Sequence, residues 1–307
     1  MYSVQETLAD RVVVIVNRAS GSEQSTGDDL AAHFQSHDID PIILAAASGK
    51  ELEQHVRRAT EERARAVVVA GGDGTINTFA QALAGSGVPL GIIPSGTFNY
   101  VARNYDIPEE PEQAVAVIAA QHAVAIDAPN VNGNVFLNNA SLGLYAAAIQ
   151  QRERQQARFG RRRWVAFAAA LYAVMRPGRR LDIAVENNGE TRHFRTHILF
   201  VANNARQLED YNLKGADCLA SGQLVFHIAK PHTRLGLLWL ALRLVIGATT
   251  QADELESFCA SRVTISARWR RSLRVVLDGE LVRLAMPLNF SIQRGALNLI
   301  TPQRESA

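Results

Sequence analysis

The sequence predicts an α/β N-terminal domain with a parallel, doubly wound sheet, followed by a mainly antiparallel second domain. Three observations carry that expectation. Strand and helix signals alternate through the first 127 residues. Three of those strands end in loops of small or hydroxyl residues. After Asp127 the alternation gives way to Asn-Gly turns. Repeated βα units make parallel sheets, whereas Asn-Gly between short strands marks hairpins.

Taken in order, Val12–Val16 is a strand, Asp28–Ser36 a helix, Pro41–Leu44 a strand and Lys50–Arg63 a charged helix. Ala66–Ala70 is an apolar strand that ends abruptly in Gly71-Gly72-Asp73-Gly74-Thr75, with a helix expected from Thr75 to Leu83. Leu90–Ile93 is a strand running into Pro94-Ser95-Gly96-Thr97-Phe98-Asn99. Parallel strands end on one side of their sheet, so the loops Asn17–Gly21, Gly71–Thr75 and Ser95–Asn99 can line one crevice, where α/β sheets bind ligands. Glycines let backbone N–H groups approach an anion, and the helix that follows adds its positive end. Asp73 beside such a site suits the handling of a cation or a proton. The local reading is a nucleotide-phosphate site.

Beyond Asp127, Asn132-Gly133 and Asn188-Gly189 read as hairpin turns. Leu181–Val185, Arg192–Val201, Gln223–Ala229, Arg262–Ser266 and Arg274–Leu277 read as strands, with helices at Tyr145–Arg158, Arg163–Met175 and Arg234–Ile246. The expected division is 1–127 and 128–294, with the C-terminal segment 295–307 a candidate to rejoin the first domain.

Composition narrows the function classes. The 307 residues are 47% apolar and 20% charged, which suits a folded chain with a sizeable core. A net charge of +2 gives no argument for nucleic acid, so no nucleic-acid partner is expected. Two cysteines, Cys218 and Cys259, are too few for a disulfide framework and suit a reducing cytosol. Residues 1–10 lack the apolar run of a signal peptide, and no stretch reaches the ~18 apolar residues of a spanning helix.

Four motifs now stand in a telling order: Asn17–Gly21, Gly71-Gly-Asp-Gly-Thr75, Pro94-Ser-Gly-Thr-Phe-Asn99 and Leu277-Asp278-Gly279-Glu280. In that order they resemble the diacylglycerol kinase and sphingosine kinase family of lipid kinases, from about Val12 to Pro302. The resemblance implies a nucleotide-binding N-terminal domain, a C-terminal β-sandwich, and transfer of the γ-phosphoryl group of ATP to a lipid hydroxyl. It places ATP against Asn17, Arg18, Ala19, Ser20, Gly21, Gly71, Gly72, Asp73, Gly74, Thr75, Ile76, Asn77 and Thr97. It gives Asp73 the role of positioning Mg2+ and the phosphates, and Glu280 that of base toward the attacking hydroxyl, with Asp278 in support. Phosphoryl transfer depends mainly on positioning and charge neutralisation, so backbone donors, one metal-holding carboxylate and one base suffice. Taken alone, Asp278-Gly279 is also an ordinary hairpin turn.

The chain departs from the family at several positions. Arg18 follows Asn17 where proline is usual, Ala45 stands for a threonine, and Tyr100 follows Asn99 where aspartate is common. Asp217–Gly222 corresponds to an acidic segment that holds a structural magnesium in some relatives. Here Ser221 replaces a carboxylate, so that metal is not expected.

The acceptor side is read from residues 150–180, which hold nine arginines, one acidic residue (Glu153) and the apolar run Trp164–Met175. Arginines flanking an aromatic-rich apolar helix suit the surface of an anionic phospholipid membrane. The expectation is a cytoplasmic, membrane-peripheral lipid kinase using ATP and Mg2+, with diacylglycerol as leading acceptor and a homodimer left open. The alternatives are an NAD kinase-like enzyme with a soluble substrate, and a nucleotide- or lipid-binding protein without catalysis. His193 and His197 lie four apart but in a strand context with no third ligand, which argues against zinc.

Overall fold

A computed structural model describes residues 7–17, 27–143, 180–230 and 255–303. The expected helices Tyr145–Arg158, Arg163–Met175 and Arg234–Ile246, and the loop residues Arg18, Ala19, Ser20 and Gly21, lie outside the described residues. The chain divides into two compact units, 1–128 with 293–307, and 129–292.

The first unit is built on β1 (Val12–Asn17), β2 (Ile42–Ala46), β3 (Ala66–Gly71) and β4 (Leu90–Pro94), paired in parallel in the order β2-β1-β3-β4. Between them run α1 (Gly27–Gln35), α2 (Gly49–Glu61) and α3 (Asp73–Leu83). Val12–Ile15, Ala66–Val69 and Leu90–Pro94 are buried throughout, as parallel strands covered on both faces must be. Helix α2 begins on a reciprocal cap: the Ser48 hydroxyl accepts the Glu51 N–H, and the Glu51 carboxylate accepts the Ala47 N–H. It turns Leu52, Val56 and Ala59 inward. After β4 come α4 (Tyr100–Asn104) and α5 (Pro111–Ala119), then β5 (Ala123–Val131).

The long last strand β16 (Leu288–Ile300) brings the C-terminus into this unit, where Leu299 pairs in parallel with Leu90. Asp127 anchors the segment, accepting from the Arg294 guanidinium (2.6 Å) and the Gly295 N–H (2.9 Å).

The second unit is a sandwich of two antiparallel sheets. One runs through the first half of β16, then β13 (Arg262–Ala267), β8 (Leu181–Asn187) and β9 (Glu190–Thr196). The other has the order β12 (Leu255–Ala260), β11 (Leu224–Ala229), β10 (Ile198–Ala202), β7 (Asn139–Gly143), β14 (Ser272–Leu277), β15 (Glu280–Ala285). Their inner faces share one core, in which Phe136 and Phe226 both meet the Phe290 ring edge-on, at 6.3 and 5.6 Å. Helices α6 (Ala205–Asp210) and α7 (Ala216–Ala220) cover part of the outer face of the second sheet, through Leu208, Cys218 and Leu219. Asn132-Gly133 joins β5 to β6 (Asn134–Val135), and Asn188-Gly189 joins β8 to β9. All four residues have φ between +50° and +82°, as a two-residue hairpin turn requires.

Two expectations need correction. Arg192–Val201 is two strands rather than one. The chain leaves β9 for β10, in the other sheet, at His197, whose carbonyl sits where any side chain on Gly143 would have to go. The buried Thr196 hydroxyl holds the corner, 2.8 Å from the Ala229 carbonyl and accepting the Ile198 N–H. The cysteines, read as two thiols suited to a reducing cytosol, are instead bonded to each other. Strand pairing sets Cys259 opposite Val225, and α7, which carries Cys218, packs beside that residue.

Candidate active site

Two of the small-residue loops lie at the carboxyl ends of β3 and β4, and Asn17, the described residue of the third, ends β1. Strands β3 and β4 end level, Gly71 opposite Pro94, which sets their loops side by side. The glycines matter here for closeness rather than for unusual backbone angles, since Gly72 has φ −89°. A Cβ on Gly72 would stand 3.0 Å from the Gly96 Cα, and one on Gly96 would stand 2.7 Å from the Gly72 Cα. A Cβ on Gly71 would meet Thr75 at 2.9 Å. Each side chain is missing because another part of the site occupies its space.

Asp73 fastens the two loops together. Its carboxylate accepts the N–H groups of Val101 (3.0 Å) and Tyr100 (3.2 Å), the first residues of α4. Asn99, in the left-handed region at φ +49°, folds its side chain back so that its carbonyl oxygen accepts the Gly96 N–H at 2.9 Å. Tyr100, which replaces the family's aspartate, donates its backbone N–H to Asp73, while its ring stacks on Phe98 and lies under Arg103. Thr97 is exposed on the same loop. Gly72, Asp73, Gly74 and Thr75 are partly exposed at the start of α3, whereas Ile76 is fully buried and can offer a ligand only its backbone; Asn77 follows it, partly buried.

A cavity of about 390 Å³ opens among these strand ends, walled by Val16, Ala70 and Ile93 and floored by Gly96. That volume falls in the range of small-molecule sites. On the side reached by the chain entering α5 it is bordered by Glu109 and Glu110, a pair that the motifs do not reveal. Two carboxylates repel a polyphosphate, so they fix which end of the cavity phosphates would occupy. Pro-Glu-Glu-Pro ahead of a helix reads as an ordinary capped start, and so gave no signal. Asn17 ends β1 next to this cavity's wall.

In the second unit, Asp278 and Glu280 flank Gly279 at the β14–β15 turn, with φ +46° at Asp278 and +90° at Gly279. It is a hairpin turn, and it is also more than one. The Asp278 carboxylate accepts three consecutive backbone N–H groups, from Leu137 (2.6 Å), Asn138 (2.8 Å) and Asn139 (2.8 Å). Those bonds pin the turn to the start of β7, among the buried amides of Asn138, Asn139, Asn204 and Gln207. Such a carboxylate is a strut, poorly placed to collect a proton. Glu280, one residue past the turn, is exposed. Among the described residues no group of three or more His, Cys, Asp or Glu side chains is arranged to hold a metal ion, and no helix is long and apolar enough to cross a membrane.

Residues 11–131 match the model of the diacylglycerol kinase catalytic domain. Over that segment the chain is similar to diacylglycerol kinases, and similarity extends beyond it. A Mycobacterium tuberculosis diacylglycerol kinase is 24% identical over 312 aligned residues, covering 95% of this chain and 96% of that protein. A Cronobacter sakazakii protein named as a probable YegS-like lipid kinase is 27% identical over 206 residues, covering 65% of this chain and 67% of the other. A Bacillus anthracis diacylglycerol kinase crystal structure superposes with a TM-score of 0.70 at 19% identity, covering 97% of this chain and 99% of that one, which shows the shared two-domain fold. The resemblance read from the four motifs is thus borne out. The protein is a kinase of the lipid kinase kind, a phosphotransferase that uses ATP.

Proposed function

We propose that this kinase transfers the γ-phosphoryl group of ATP to the hydroxyl of a membrane lipid, with diacylglycerol the leading acceptor. The observation that carries the proposal is the clasp at the strand ends: two glycine loops pressed backbone to backbone, fastened by the Asp73 carboxylate, beside a cavity of nucleotide dimensions. Relatives named diacylglycerol kinase that align over nearly the whole chain favour that acceptor.

In this reading the triphosphate lies along Gly71–Thr75 and Gly96–Thr97, whose backbone N–H groups face it, and the α3 N-terminus offsets its charge. Glu109 and Glu110 keep the phosphates from the opposite end. Asp73, whose carboxylate also accepts the Tyr100 and Val101 N–H groups, would be the residue to hold Mg2+ arriving with ATP, which would supply charge neutralisation for the transferring group. Glu280 takes the proton of the attacking hydroxyl, while Asp278 holds the turn that presents it. The protein works at the cytoplasmic membrane surface, because a two-tailed acceptor lies in a bilayer.

Incubation of folded protein with ATP, Mg2+ and short-chain diacylglycerol in detergent tests this directly. The expected product is the corresponding phosphatidic acid. Phosphorylation of NAD instead, or of no acceptor in a panel of lipid alcohols, overturns the proposal.

A further inference from the structure

One turn of the second unit is built against the ordinary rules for turns. Strands β13 and β14 are joined by Arg268-Trp269-Arg270-Arg271. Trp269 adopts φ +63°, a conformation that Gly or Asn normally supplies. It is 88% exposed, the most exposed large apolar residue among the described ones. The chain therefore accepts both a disfavoured backbone angle and a solvated indole, with no core contact in return. Folding alone gives no reason for tryptophan there.

The surroundings are cationic. The Arg268 guanidinium lies 5.4 Å from the centre of the indole ring, and Arg270 and Arg271 are exposed beside it. The turn borders a cleft of about 540 Å³ that Arg180 and Arg195 also line, giving four lining arginines against one carboxylate, Asp182. That carboxylate is already paired with Arg195 at 2.8 Å. Arg180 is the last of the nine arginines in the basic, apolar stretch 150–180 and the one that lies among the described residues. The cationic turn therefore continues a segment whose composition suits an anionic bilayer.

We propose that the Arg268–Arg271 turn is an anchor that seats the protein on an anionic phospholipid bilayer. The indole enters the headgroup boundary, where an apolar ring with a polar N–H is best accommodated. The arginines bind lipid phosphates, which their planar guanidinium groups match in pairs of hydrogen bonds. A nucleic-acid surface fits less well, since strand binding without sequence preference uses several stacking rings along a groove, and one tryptophan stands here. The inference deepens the lipid kinase proposal by naming the surface on which the enzyme would meet its acceptor.

The test uses the full chain, flotation with vesicles of phosphatidylcholine containing 30 mol% phosphatidylglycerol, and two variants, Trp269→Ala and the triple Arg268→Gln/Arg270→Gln/Arg271→Gln. Each near-surface arginine contributes about fivefold to partitioning, so the triple variant is expected to bind at least tenfold more weakly, and Trp269→Ala also more weakly. Wild-type protein should ignore pure phosphatidylcholine vesicles. Unchanged flotation of both variants overturns the proposal. So does loss of wild-type flotation in millimolar inorganic phosphate at constant ionic strength, which marks a soluble-anion site, or tighter binding to a single-stranded oligonucleotide than to the vesicles. Turnover of short-chain diacylglycerol in detergent is measured alongside. Its absence in wild-type protein sinks the kinase reading, whereas flotation alone decides the anchor.

Discussion

At the scale of single residues, neighbouring acids of one turn have been given different work. Asp278 spends its carboxylate on three N–H groups, and Glu280 is exposed. The proposed base is thus the acid of this turn that solvent reaches. Glu280→Gln removes the base and keeps the shape, so turnover should fall at least a hundredfold, the usual scale for general-base catalysis, while ATP affinity stays within about twofold. Isothermal titration with a non-hydrolysable ATP analogue, set beside steady-state rates, reads both; unchanged turnover would remove Glu280 from the mechanism. Gly96→Ala tests the clasp. The added methyl has only the Gly72 Cα and the Asn99 side chain to displace, so a loss of about 1–3 kcal/mol in stability is expected, together with weaker nucleotide binding. Denaturant midpoints and nucleotide titration of the variant check it, and a variant as stable and as tight as wild type would show that the loops do not touch.

At the scale of elements, the sequence shows most clearly what is periodic or punctuated. Val12–Val16 and Ala66–Ala70 announce buried parallel strands because they are apolar throughout and end in small residues. Three Gly-containing hairpin turns are visible for the same reason. Strand β7 escaped because Asn-Ala-Ser-Leu-Gly has neither alternation nor an apolar run. Asn139 finds its partners from afar, its N–H at Asp278 and its side-chain NH2 at Gln207, and no local pattern records such partners. The break at His197 is likewise invisible, since the room for its carbonyl comes from Gly143, distant in sequence.

Strand β11 carries a consequence for pH. His227 is buried, its Nδ1 2.7 Å from the Ser257 hydroxyl, and burial lowers its pKa from 6.5 to about 4. Below pH 6.5 the unfolded chain takes up the proton that the folded chain refuses, so stability is full above 6.5 and declines until pH reaches about 4. Each tenfold weakening of proton affinity corresponds to about 1.4 kcal/mol, so the loss attributable to this group is about 3 kcal/mol. His227→Gln should flatten the stability–pH curve across that window, whatever it does to stability at pH 7. Urea midpoints at pH 7 and pH 5 measure it, and parallel curves for the two proteins would contradict the assignment.

At the scale of the whole molecule, the two units divide the labour that a lipid kinase needs. The first has the parallel sheet with its clasped glycine loops, and the second is a sandwich that carries the Asp278–Glu280 turn. The kinase identity was legible because its motifs recur in fixed order, although they are spread over more than 260 residues. What they do mechanically was hidden. Gly-Gly-Asp-Gly reads as a phosphate cradle, yet in the structure two of its glycines admit other protein atoms and its aspartate grips a second loop. Glu109, Glu110 and the Trp269 turn gave no signal at all, because isolated charges and a lone tryptophan look the same on any surface. Lipid phosphorylation itself is read by mass spectrometry of a total lipid extract incubated with the protein, ATP and Mg2+. A new phosphorylated lipid is expected, phosphatidic acid in first place, formed at the expense of its parent alcohol. An extract left unchanged by folded protein that binds ATP would contradict the lipid kinase assignment.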